Sequence, residues 1–357
     1  MSCKQAILLL EDGAAFDGLA FAAPGEAIGE AVLYTGVVGY QEVVTNPSYR
    51  GAILTLTYPI IGSYGVNDED SESSAAHVRG VVIRDYSATV SNFRATGSFE
   101  DFLRQRRVVG IRGVDTRAVA VHLRERGEMR AAIAPADADR AALLARLRAT
   151  PAPFGTDLVA ELSPEAAPPP PAEPKHRVAV LDLGAKRSLL AQLAQLGCAV
   201  ELLPATASAA DLLAKRPEGV ILAGGPGDPR VAAYAIETAR ALSGKAPLLG
   251  IGLGHQVLAL ALGCTVRRMK LGHRGVNYPV RDLGANHCDI TVQHHSFVVD
   301  AAGVASAVEI THVNVNDATV EGIRARAARA SGVQFHPTPD EHGRPSGILE
   351  RFVQGEA

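Results

Sequence analysis

The sequence predicts an α/β protein built as two domains, and three observations carry that prediction. Residues 176–262 alternate apolar strand patterns with amphipathic helix patterns, which argues for an open, mostly parallel sheet in the C-terminal half. Six prolines fall within residues 163–174. Such a run cannot supply backbone donors to a helix or a ladder and reads as a semi-rigid linker. The string Pro-Leu-Leu-Gly-Ile-Gly-Leu-Gly-His-Gln at 247–256 runs from an apolar strand through a glycine-studded turn towards an apolar helix at 257–262. That is the layout of a nucleophile elbow, which holds one reactive side chain above the end of a sheet. With 357 residues the chain has room for two cores. The expected division is a first domain at 1–160, a linker at 161–175 and a second domain at 176–357.

Taken in order, the apolar run 6–10 reads as a first strand. It is too short for a signal peptide or a membrane span. Strands are expected at 53–58 and 80–83, and helices at 99–106 and 116–126, the latter with Asp115 as N-cap. Otherwise the N-terminal half is poor in helix signals. In the C-terminal half the expected order is strand 176–183, helix 184–196, strand 199–203, then a short helix capped by Ser208 and running to Lys215. Strand 219–222 follows and ends in Ala-Gly-Gly-Pro-Gly-Asp-Pro, and strand 246–251 enters the elbow. Ligands in such sheets lie at the carboxyl ends of the strands, where these glycine-rich turns fall.

Composition narrows the function classes. Hydrophobic residues are 47% and charged residues 20%, with a formal net charge of −3. No long run of Lys or Arg marks a nucleic-acid or anionic-membrane surface. Cys3, Cys198, Cys264 and Cys288 have neither paired nor metal-type spacing. A reduced, cytoplasmic setting follows as the expectation. Arg104–Arg107 reads as a solvated helix end.

Both halves resemble the small chain of carbamoyl-phosphate synthetase, whose C-terminal domain is a class I glutamine amidotransferase. The first half carries Gly-Tyr-Gln-Glu-Val-Val-Thr-Asn-Pro-Ser-Tyr at 39–49, Leu-Thr-Leu-Thr-Tyr-Pro at 54–59, Gly-Val-Asn-Asp at 65–68, Val-Ile-Arg-Asp at 82–85, Ser-Asn-Phe-Arg at 91–94 and Gly-Val-Asp-Thr-Arg at 113–117. The second half continues with Asp-Leu-Gly-Ala-Lys-Arg at 182–187, Gly-Pro-Gly-Asp-Pro at 225–229, Met-Lys at 269–270, Gly-His at 272–273 and Gln-Phe-His-Pro at 334–337. The resemblance implies a small-chain-specific α/β domain followed by the amidotransferase domain. It also implies a chain that hydrolyses glutamine and passes ammonia to a large synthetase chain, feeding arginine and pyrimidine synthesis. ATP and magnesium are expected only on the large chain, with no cofactor here.

Amide hydrolysis by covalent catalysis needs a nucleophile, a base, a group that orients the base, and oxyanion donors. By resemblance His336 is the base. The backbone of Gly225, Gly227 and Leu253 supplies the oxyanion donors, and Gln256 and Phe297 face the substrate. Five positions depart from the family. The nucleophilic cysteine is Gly252, and the orienting acid of His-Pro-Glu is Thr338. The serine that helps hold glutamine is Gly36. The Gln-Asn-His-Gly-Phe string at 293–297 carries His294 and Ser296 in place of asparagine and glycine. Cys264 and Cys288 are too far along the chain to serve as nucleophile. Asp340 or Glu341 is a weak substitute for the acid.

The expected function is a small chain whose own glutaminase is lost, acting as a structural or regulatory subunit of an ammonia-using complex and binding glutamine weakly if at all. The alternatives are a stand-alone pseudoenzyme that binds a small ligand, and a glutaminase acting through unidentified residues. The many histidines of the second half raise a metal site as a lesser reading. Four of them, His255, His273, His295 and His336, sit in family strings that bind none, which leaves mainly His294 as new in the pocket, and no metal is expected.

Overall fold

The computed structural model describes residues 4–163 and 165–356. Cys3 and Pro164 of the linker lie outside the described residues. The chain forms two units. The first comprises Met1–Leu158 with Lys270–Arg274, and the second comprises Val159–Met269 with Gly275–Ala357. The division therefore precedes the proline-rich stretch. It also returns five residues of the long strand Val266–Asp282 to the first unit, through backbone bonds such as Glu128 N–H to Lys270 C=O at 2.9 Å.

In the first unit, seven described strands close into a barrel, in the order Gln5–Leu10, Ala15–Ala22, Val109–Arg112, Gly80–Val82, Ala52–Leu56, Ala27–Tyr34 and Met129–Pro135. Gln5–Leu10 is apolar on both faces because both are covered. Ala6, Leu8 and Leu10 join the core with Ile53, Ile111 and Ile133. Ile7 and Leu9 pack with Leu143 and Leu147 of the helix Arg140–Ala149. The helix Thr116–Arg126 starts where Asp115 accepts the Ala118 N–H and stops at Gly127, with φ 99°. Phe99–Gln105 is capped by Ser98.

The sequence pattern missed four barrel strands: Ala15–Ala22, Ala27–Tyr34, Val109–Arg112 and Met129–Pro135. In two of them a glycine interrupts the pattern where a neighbouring strand or turn passes too close for a side chain. A Cβ at Gly18 would lie 2.6 Å from the Arg112 carbonyl oxygen, and one at Gly29 would lie 2.6 Å from that of Gly51.

The second unit is organised on a nine-stranded sheet among the described residues. Five strands run parallel in the order Cys198–Pro204, His176–Asp182, Gly219–Leu222, Leu248–Ile251 and Ala330–Val333. Val320–Ala325, Glu309–Asn314 and Val266–Asp282 continue the sheet antiparallel, and His287–Val299 borders the last of them. Apolar residues fill both faces, with Leu183, Leu222 and Leu258 in one cluster and Val180, Ile221 and Leu349 in the other.

The expected helix at 184–196 is Arg187–Gln195. Asp182 accepts the N–H groups of Gly184 and Ala185 at 3.0 and 2.8 Å, and that turn delays the first helical residue. Ser208 caps Ala209–Ala214 in a reciprocal box with Asp211.

Candidate functional site

The elbow is formed. Leu248–Ile251 ends at Gly252, which has φ 57° and ψ −114°, and the helix Leu253–Ala261 starts immediately after it. The helix thus begins four residues earlier than its apolar run at 257–262 indicates. Glycine adopts such a left-handed, extended-ψ conformation at little cost. Two further glycines are demanded by contact. A Cβ at Gly254 would lie 2.0 Å from the Leu222 carbonyl oxygen, and one at Gly225 would lie 2.0 Å from that of Leu183. The turn is therefore pressed against the ends of the neighbouring strands. Leu253 is the first helical residue, so its N–H has no carbonyl partner within the helix and remains the kind of donor an oxyanion needs.

His336 reaches the elbow through backbone bonding. Gly252 N–H donates to the Val333 carbonyl at 2.9 Å, Gln334 N–H to Glu321 at 2.8 Å, and His336 N–H to Val292 at 2.9 Å. A Cβ built on Gly252 would stand 3.4 Å from His336 Nε2 and 3.5 Å from Cε1. A side chain at this position would therefore start in van der Waals contact with the His336 ring. Burial first, and the charge of Lys186 second, hold His336 well below the usual imidazole range, so it is neutral at pH 7. Lys186, itself buried, is a site residue the sequence reading did not single out. Its place inside the family string at 182–187 was the available signal.

At the position expected for the orienting acid stands Thr338. Thr338 is exposed and uncharged, two residues beyond the base. Gln192 Nε2 donates to the Pro337 carbonyl at 3.0 Å, and Gln192 Oε1 accepts Ser346 N–H at 2.9 Å, which pins this segment on both sides. His336 and Thr338 border a cavity of about 740 Å³. Asp340 does not replace the acid, because its carboxylate accepts from Arg344 Nε at 2.7 Å and from the His342 N–H at 2.9 Å. Neither cysteine takes the nucleophile's place. Cys264 is buried among Val266, Val299 and Val320, and Cys288 is exposed at the start of His287–Val299.

The string at 293–297 lies on His287–Val299 and is buried throughout. His294 packs against His336, with ring centroids 5.1 Å apart. His295 is a core histidine, bonded to the Phe297 carbonyl at 3.0 Å and to Gln293 Oε1 at 2.8 Å. Gln293 also donates to Glu321 at 2.9 Å. Ser296 and Phe297 are buried beside them.

Gln256 is tied into the fold through its side chain. Its amide nitrogen donates to the Phe297 carbonyl at 2.7 Å and to Gln334 Oε1 at 3.0 Å. Both donor hydrogens serve the fold, tying the elbow helix to two strands.

Gly36 belongs to the first unit, in the loop that follows Ala27–Tyr34. A Cβ there would lie 2.4 Å from Tyr34 Oη. Gly225 and Gly227 lie in the loop after Gly219–Leu222, with Gly227 at φ 85°.

Residues 8–133 match the family model described as carbamoyl-phosphate synthase small chain, CPSase domain, and residues 179–354 match glutamine amidotransferase class-I. The carbamoyl phosphate synthase small chain of Syntrophotalea carbinolica is 42% identical, over 98% of this chain and 97% of that one. The small chain of Akkermansia muciniphila is 44% identical over 93% and 92%. That of Listeria monocytogenes serovar 1/2a is 42% identical over 93% and 91%.

Proposed function

The chain belongs to the carbamoyl phosphate synthase small-chain family, and from that premise we propose that it is a small chain without glutaminase activity, partnered with a large synthetase chain that holds ATP and magnesium and uses free ammonia. The observation that carries the reading is Gly252. The elbow, the oxyanion-type donor of Leu253 and the neutral base His336 are assembled around a residue with no atom to attack the amide. Removing a nucleophile alone costs on the order of 10⁶ in kcat in a serine protease. Thr338 removes the charge that would steady an imidazolium, so base catalysis loses its support as well. Gly36, His294 and Ser296 alter the substrate contacts that the family resemblance implies.

The subunit role rests on contrast. The family strings at 39–49, 54–59 and 182–187 persist while the glutamine site has five departures, and a free-standing binder has no need of those strings. The test is reconstitution with the large chain of the same organism. Co-elution is expected, as for an interface burying at least about 1,000 Å². Carbamoyl phosphate should form with ammonium and not with glutamine. Glutamine-driven synthesis abolished by His336→Ala would overturn the proposal, and failure to co-elute would favour the stand-alone binder.

A further inference from the structure

Gly36 is not required by its backbone. Its φ lies outside the left-handed region that favours glycine. An L-residue fits such a backbone, and replacing glycine by alanine there ordinarily stabilises a protein through the unfolded state. What excludes a side chain is Tyr34. A Cβ on residue 36 would meet Tyr34 Oη at 2.4 Å, Cζ at 2.5 Å and Cε1 at 2.6 Å.

That ring cannot step aside cheaply. Tyr34 is 2% exposed at the end of its barrel strand, and its hydroxyl donates to the Val38 carbonyl at 3.0 Å. Two residues on, Tyr64 Oη accepts the N–H groups of Gly39 and Tyr40 at 2.7 and 3.1 Å. Buried Tyr34 and half-buried Tyr64 thus hold the 35–39 loop at two points, while Val37 and Val38 point their side chains outward, at 55% and 57% exposure.

We infer that Tyr34 occupies the side-chain space of residue 36 and locks the loop in a form closed to any hydroxyl there. This rests on the reading of Gly36 as a vacated glutamine contact, and it goes beyond that reading. The loss at Gly36 is coupled to Tyr34, so restoring a serine alone gives a strained loop in place of a repaired site.

The test is a thermal-unfolding cycle on the full chain. In the native background Gly36→Ala and Gly36→Ser should both lower Tm, by roughly 5 °C, as overpacking against a fixed ring does. With Tyr34→Asn also present, the same two substitutions should become neutral or raise Tm. Tyr34→Phe keeps the ring and drops the hydroxyl, so it should not relieve the clash. If Tyr34→Asn fails to fold, the native-background pair still decides. A Gly36→Ala protein as stable as the parent, or more so, overturns the lock, and so does a cycle that is additive. Glutamate release by the unmodified chain is read separately. It would overturn the proposed loss of glutaminase and leave the Tyr34 cycle unaffected.

Discussion

At the scale of single residues, Gly252 separates two properties that a catalytic cysteine combines. The turn needs a residue tolerant of φ 57°, and the chemistry needs a thiol. Glycine satisfies the first requirement alone. Since a Cβ at this residue meets nothing nearer than His336 Nε2 at 3.4 Å, Gly252→Cys should fold and bring its thiol within reach of the base. Glutamate release by that variant should stay low. Adding Thr338→Glu should raise it by about 10²-fold or more, because an imidazolium formed in this buried place needs a carboxylate partner. A steady-state glutaminase assay on both variants checks this. Equal rates would show that Thr338 is not the missing group.

At the scale of elements, the elbow is held from beneath as much as by its own dihedrals. The helix Leu253–Ala261 presses Gly254 onto the end of Gly219–Leu222, and Gln256 bridges from the same helix to Phe297 and Gln334. A methyl at Gly254 would sit 2.0 Å from a backbone oxygen, which only a shift of the helix can relieve. Gly254→Ala should therefore destabilise the chain by about 3 kcal/mol. Gly155→Ala, where the new atom meets nothing within 4 Å, should change stability little. Gln256→Leu should cost about 2 kcal/mol, since it strands buried acceptors. Urea unfolding of the three variants separates these outcomes. A stable Gly254→Ala protein would mean that the elbow is looser than its contacts indicate.

Across the whole molecule, two buried groups, one in each unit, titrate with opposite sign. In the first unit, burial raises the Glu42 carboxyl from 4.5 to about 7. Asp70 and Glu72 add to the shift, and Arg94 opposes it. Its folded pKa lies above its unfolded value, so its contribution is complete below about 4.5 and is lost as pH rises through about 7. In the second unit, burial depresses the His255 imidazole from 6.5 to about 3. That contribution is complete above about 6.5 and is lost as pH falls towards about 3. Six of the eight tyrosines (Tyr34, Tyr40, Tyr49, Tyr58, Tyr64 and Tyr86) belong to the first unit, and there is no tryptophan. Tyrosine fluorescence thus mainly reports that unit. By this probe, Glu42→Gln should raise the midpoint of unfolding at pH 8 and leave it nearly unchanged at pH 4. An equal shift at both pH values would place the ionisation of Glu42 outside this window.

The strands His176–Asp182 and Gly219–Leu222, the caps Asp115 and Ser208, and the turn at Gly252 were legible in the sequence because each rests on local chemistry: an apolar run, a side chain bonding its own backbone, or a glycine where φ is positive. The departures expected at Gly36, Gly252, His294, Ser296 and Thr338 rest on family strings alone, and assays of the kind proposed above are what test them. Tertiary structure alone decided the barrel. Its closure depends on strand pairs such as Gly29 with Ala131 and Gly80 with Val109, whose small members carry almost no pattern. It also decided that Gln256 spends its donors on the fold, that Asp340 is taken by Arg344, and that Tyr34 stands in the space of residue 36. A side chain's partners depend on which distant segments fold against it, and linear spacing does not record those distances.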